Sequence, residues 1–176
     1  MSRPTKITPR SQSRRYAVLA LYQWRLTGES PMAIGRHLLD DPDWLDAVAM
    51  SLSGADDDDE TNPDLRFQFN LELLETLLTG VPQHLTEIDA QLERFLDRPL
   101  VQVDPVELAI LRLGAFEILF SDNIPDRVAI NEAVELTKLL GAFEGHKYVN
   151  GVLDKIARHH ALKVEQARRA SPAVDE

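Results

Sequence analysis

The chain of 176 residues contains no cysteine, so disulfides and thiolate metal sites are excluded; a reducing compartment is compatible with this. It also lacks any stretch near the roughly 20 apolar residues that a membrane span requires, and its start, MSRPTKITPRSQSRR, is polar and basic with no apolar run of signal-peptide length behind it. A protein of the cytoplasm that makes no membrane contact is expected. Alternation of apolar and polar residues with period two is almost missing, which leaves little scope for a sheet. The five histidines (His37, His84, His146, His159, His160) form no HExxH pattern, and the glycines give neither GxGxxG nor GxxxxGK[ST]. No cofactor, metal or catalytic constellation is indicated, and an enzyme is the less favoured class.

What the sequence does contain is helical periodicity. Apolar side chains recur through Tyr16, Leu19, Ala20 and Trp24, and again through Leu71, Leu74, Leu77 and Leu78. The spacing predicts an all-α fold with helices over 12–27, 31–39, 42–52, 65–79, 82–96, 104–121, 128–140 and 146–162. Asp104-Pro105-Val106-Glu107 combines an N-cap carboxylate, a proline where the absent N–H is harmless, and a glutamate placed for a capping box. Gly28, Gly80 and Gly141 each follow a helical run and are expected to be C-caps, with Pro31 and Pro82 preventing simple continuation after the first two. The helix over 104–121 is apolar nearly all round and should be buried.

Charge is unevenly distributed. The net charge is −10, which taken alone argues against nucleic acid. Yet residues 1–28 carry Arg3, Lys6, Arg10, Arg14, Arg15 and Arg25 with no acid, whereas residues 29–64 carry eleven acids against Arg36 alone. A basic arm on an acidic body can meet an anionic polymer locally. One domain is expected: a flexible basic arm over 1–10, a body over 11–162 with halves 11–79 and 82–162, an acidic loop over 53–64 and a disordered tail over 163–176. The run 56–60 consists of five adjacent carboxylates, which repel one another and offer nothing to bury.

Two segments combine cations with aromatic and amide side chains, the parts used to hold single-stranded RNA. The first contains Arg10, Arg14, Arg15 and Tyr22, with Trp24 after them; the second contains Lys147, Tyr148, Asn150 and Lys155. Taken alone, aromatics at such spacing read more readily as core.

Arg14-Arg15-Tyr16-Ala17-Val18-Leu19-Ala20-Leu21-Tyr22-Gln23-Trp24 resembles the opening helix of the bacterial transcription antitermination factor NusB family. Asp126-Arg127-Val128-Ala129-Ile130-Asn131-Glu132-Ala133-Val134-Glu135-Leu136 resembles that family's V-A-I-N-E-A-I-E-L segment, and His146-Lys147-Tyr148-Val149-Asn150-Gly151-Val152-Leu153-Asp154-Lys155 resembles its H-K-F-V-N-G-V-L-D-K signature. The resemblance implies two stacked helical subdomains, three helices in the N-terminal one and about four in the C-terminal one. It implies binding of boxA RNA in ribosomal leaders, together with the small-subunit ribosomal protein that doubles as NusE, within an RNA polymerase antitermination complex. No reaction would be catalysed. Arg10, Arg14, Arg15, Tyr22, Lys147, Tyr148, Asn150 and Lys155 become candidate RNA contacts. Glu107, expected at the surface of its helix, becomes a candidate contact for the ribosomal protein.

Asn150-Gly151 reads as a turn by its residue types, whereas the resemblance implies that this pair lies inside the last helix. The family's N-terminus is often denser in arginine than Arg10-Ser11-Gln12-Ser13-Arg14-Arg15, and the acidic run over 56–60 looks like an elaboration on the family's loop between helices of the first half. Two alternatives stand beside RNA binding: an interaction module without RNA affinity, as at the start of an rRNA cytosine methyltransferase, and a homodimer that masks its RNA surface. No room remains for that enzyme's cofactor-binding α/β domain.

Overall fold

The computed structural model describes residues 8–41, 43, 69–140 and 144–171. Among them are seven α-helices and one short 3-10 turn: α1 Pro9–Thr27, α2 Pro31–Asp40, α3 Leu71–Gln83, α4 Leu85–Phe95, the turn Leu100–Gln102, α5 Pro105–Phe120, α6 Asp126–Leu140 and α7 Gly145–Ala170. The all-α expectation holds. The expected helix over 42–52, the acidic loop over 53–64 and the C-cap at Gly141 lie outside the described residues.

Most helix starts follow from local chemistry. Thr8 Oγ1 accepts from the Ser11 N–H at 3.1 Å, Ser30 Oγ from Ala33 at 3.2 Å and Asn70 Oδ1 from Leu73 at 3.0 Å. Each removes one of the unsatisfied donors of a first turn. Asp104 does this twice, Oδ1 accepting from Val106 at 3.0 Å and from Glu107 at 3.1 Å. Gly28 ends α1 in the left-handed region, φ 73°, with its N–H on the Trp24 carbonyl at 2.8 Å.

Gly80 does not act as a cap. Helix α3 runs through it and through Pro82 to Gln83. The glycine serves packing instead, because a Cβ there would lie 2.2 Å from Cζ of Phe116. Its bare backbone lets the aromatic ring of α5 lie directly on α3. The expected tail is also corrected over its first eight residues, since α7 continues to Ala170. Residues 163–170, KVEQARRA, are mostly good helix formers, and Arg169 pairs with Glu165 one turn earlier at 2.5 Å. Asn150-Gly151 is helical, and the turn suggested by its residue types is absent.

Helix α1 packs on α2, α3 and α5; α7 packs on α4, α5 and α6. Helix α5 stands between the two groups and is buried almost throughout, with Leu108, Ile110, Leu111 and Leu113 fully enclosed. Burial of such side chains contributes roughly 1.5–3 kcal/mol each before the entropy of ordering is set against it. The expected break near 79–82 falls within α3.

Candidate nucleic-acid interface

The start of α7 presents a compact group of side chains. Lys147 is exposed, with Nζ 3.3 Å from Glu144 Oε2. Tyr148 is half-buried, and its hydroxyl donates to Asp97 Oδ1 at 2.8 Å across from the loop that follows α4. Arg98 holds the same carboxylate at 2.8 and 3.3 Å and places its guanidinium carbon 4.9 Å from the centre of the Tyr148 ring. The hydrogen bonds from Arg98 and then from Tyr148 hold Asp97 below its ordinary carboxyl range. Burial, and then the bond to Asp97, pushes the Tyr148 phenol up. The result is a flat cation fixed over an aromatic ring, beside an exposed ammonium. Asn150 and Lys155 are exposed on the same helix.

On α1 the expected residues separate. Arg10 is exposed in the first turn, Arg15 is half-buried, and Tyr22 and Trp24 are half-buried against the core. Arg14 is 1% exposed, so the expectation that it contacts RNA is corrected. Its Nε and Nη2 donate to Glu117 Oε1 and Oε2 of α5 at 2.8 and 2.9 Å, and Glu132 of α6 lies 3.9 Å from Nη1. Burial alone would lower the Arg14 pKa; the hydrogen bonds and charge of Glu117, aided by Glu132, reverse this and raise it. Ser11 also donates to Glu132, at 3.3 Å. The basic start of α1 is thus tied to α5 and α6, while the Lys147 group is tied to the loop after α4.

Glu107 is 8% exposed, not at the surface as expected. Its Oε1 lies 2.0 Å from where a Cβ on Gly145 would stand, so the carboxylate is lodged against the first residue of α7. Burial, followed by the charge of Asp104, raises its pKa despite the opposing effect of Arg98. The native chain therefore retains a proton that the unfolded chain has already released. Stability should fall as pH rises from the ordinary carboxyl range through the raised value. Thermal melts of Glu107→Gln across that window should lack this component; a pH profile identical to that of the parent chain would contradict it.

Sequence reasoning missed Asp97 and Arg98, which sit in an irregular loop where no periodicity marks them. Among the described residues there is no group of three or more histidine or acidic side chains able to hold a metal ion. None of the described helices is long and apolar enough to cross a membrane.

The sequence profile of the NusB family matches residues 11–158. The chain belongs to the NusB family. It is 43% identical over 149 residues to the transcription antitermination protein NusB of Nitrosococcus oceani, covering 85% of each chain. Against the NusB protein of Alkalilimnicola ehrlichii the identity is also 43%, over 159 residues, covering 89% of this chain and 85% of the relative. Among solved structures, NusB of T. maritima superposes with a TM-score of 0.66 at 27% identity, over 92% of this chain and 99% of that one. A structure of the antitermination factors NusB and NusE in complex with dsRNA gives a TM-score of 0.64 at 26% identity, over 85% and 96%. Within this NusB-family chain, the matched region includes both the buried Arg14–Glu117 pair and the Lys147–Lys155 segment.

Proposed function

We propose that this chain is an RNA-binding transcription antitermination factor. It recognises boxA-type RNA of ribosomal leaders together with the ribosomal protein called NusE, and joins the antiterminating RNA polymerase complex in the cytoplasm as a non-enzymatic adaptor. The observation that carries the proposal is the group at the start of α7: exposed Lys147 followed by Tyr148, with the Arg98 guanidinium over the Tyr148 ring. The fold relative whose solved complex contains NusE and dsRNA supports it.

The chemistry follows from the geometry. Bases stack on guanidinium planes as well as on aromatic rings, so the Arg98–Tyr148 pair offers a platform oriented by Asp97. Lys147 exchanges an exposed carboxylate, Glu144, for a phosphate at small cost, because an ion pair open to water contributes at most about 1 kcal/mol. Asn150 is exposed, which leaves its amide available to a base edge. Arg10 extends the cationic surface at the start of α1.

The basic arm is tested by substitution and not by truncation to residue 15, which would delete the Thr8 cap and buried Arg14. Replacing Arg3, Lys6 and Arg10 together by alanine should weaken RNA binding. The slope of log affinity against log salt should flatten by up to about 2, at roughly 0.7 for each lost phosphate contact on single-stranded RNA. An unchanged slope would exclude the arm from binding.

A further inference from the structure

Lys147, Arg158 and Arg169 each face a nearby carboxylate: Glu144 just before α7, and Asp154 and Glu165 within it. Lys155 and Lys163 face none among the described residues. Neither does Arg94 of α4, whose Nη1 instead meets Nε2 of His159. Guanidinium can only donate, so Nε2 accepts and the imidazole in this contact is neutral. The charge of Arg94 is therefore left without a counter-charge.

Lys155, His159 and Lys163 recur at four-residue spacing on α7. Each step rises about 6 Å and turns about 40° around the helix, so the three form a slowly winding strip with Arg94 against its middle. The Phe95 ring meets His159 edge-on at 5.7 Å and holds the imidazole from the α4 side. Burial, then Arg94, Lys163 and His160, keeps His159 below its ordinary pKa, and no carboxylate is among these causes. Of the nearby acids, Asp154 and Glu165 are held by arginines, and Glu93 is an exposed neighbour of Arg94 in sequence. An uncompensated cationic strip on a chain of net charge −10 is suited to an anionic polymer.

We propose that Lys155, Arg94 and Lys163 bind successive phosphates of a single RNA strand leaving the Lys147–Tyr148 group, with His159 positioning Arg94, so that the chain holds a longer RNA than that group alone would hold. This rests on the RNA-binding function proposed above. The strip follows the exposed side of α7 toward Ala170, and Gly151 leaves the way between Lys147 and Lys155 unobstructed, since a Cβ there would meet nothing within 4 Å.

The test compares the full chain with Arg94→Ala/Lys163→Ala on a short boxA-like RNA and on the same RNA extended by several nucleotides at either end. One extension should tighten binding to the parent chain several-fold and steepen its salt slope. The double variant should bind the short RNA normally and lose that gain, its slope on the long RNA flattening by about 1.4 for two phosphate contacts. Arg94→Lys should restore part of the gain, and melting temperatures should stay unchanged because the charged ends are exposed. No gain from either extension, or a gain retained by the double variant, would overturn the strip while leaving the function intact. Failure of the parent chain to bind the short RNA would overturn both.

Discussion

Replacing Glu117 by alanine is expected to cost about 3–5 kcal/mol of folding stability, the range for removing one partner of a buried ion pair. The reason lies in what is left behind. Arg14 and Glu117 are 1% and 0% exposed, and the variant would strand a guanidinium inside the junction of α1 and α5. Its nearest remaining acid, Glu132, is 3.9 Å from Nη1 and already accepts from Ser11. Denaturant unfolding of Arg14→Met, Glu117→Leu and the double variant separates the interaction from the burial. Either single change should be strongly destabilising, whereas the double change should recover much of the loss because two apolar groups need no partner. Single variants that unfold like the parent would contradict the assignment.

The second large effect concerns binding. Tyr148→Ala should lower RNA affinity by about 1–3 kcal/mol, the range for losing a stacked base, with little change in melting temperature. Tyr148→Phe is the informative companion. It keeps the ring beneath Arg98 and removes only the hydroxyl that donates to Asp97 at 2.8 Å, so its affinity should stay near that of the parent. If Tyr148→Ala binds RNA normally and melts much earlier, the ring is a core element and the RNA surface belongs elsewhere.

These two positions show where sequence is informative. Helix starts at Pro31 and Pro105 could be read directly, because Ser30 and Asp104 cap backbone donors two or three residues away. Exposure is another matter, since it depends on what a helix packs against. Arg14 looked like part of a basic arm, yet it shares a stripe with Ala17, Val18 and Leu21, all buried. Its partner lies 103 residues away in sequence. The available signal was Glu117 itself, a lone acid within the apolar run Leu113–Phe120, which had to be neutralised by something. Glu107 carried the same signal in the same helix. Gly80 and Pro82 carry local signals for a stop, and tertiary contact overrides them where Phe116 covers the glycine. The signature around Lys147 could be recognised as a block, but Arg98, which completes the platform, came from a loop with no pattern of its own.

Sequence-selective RNA recognition assisted by a ribosomal protein is tested most directly by one titration. The intact chain is titrated with a boxA-like RNA and with a scrambled RNA of equal length, at fixed salt, with and without the NusE-type ribosomal protein. Tighter binding of the boxA-like RNA is expected, with a further gain when the ribosomal protein is present. Equal binding of both RNAs, unaffected by the ribosomal protein, would contradict it.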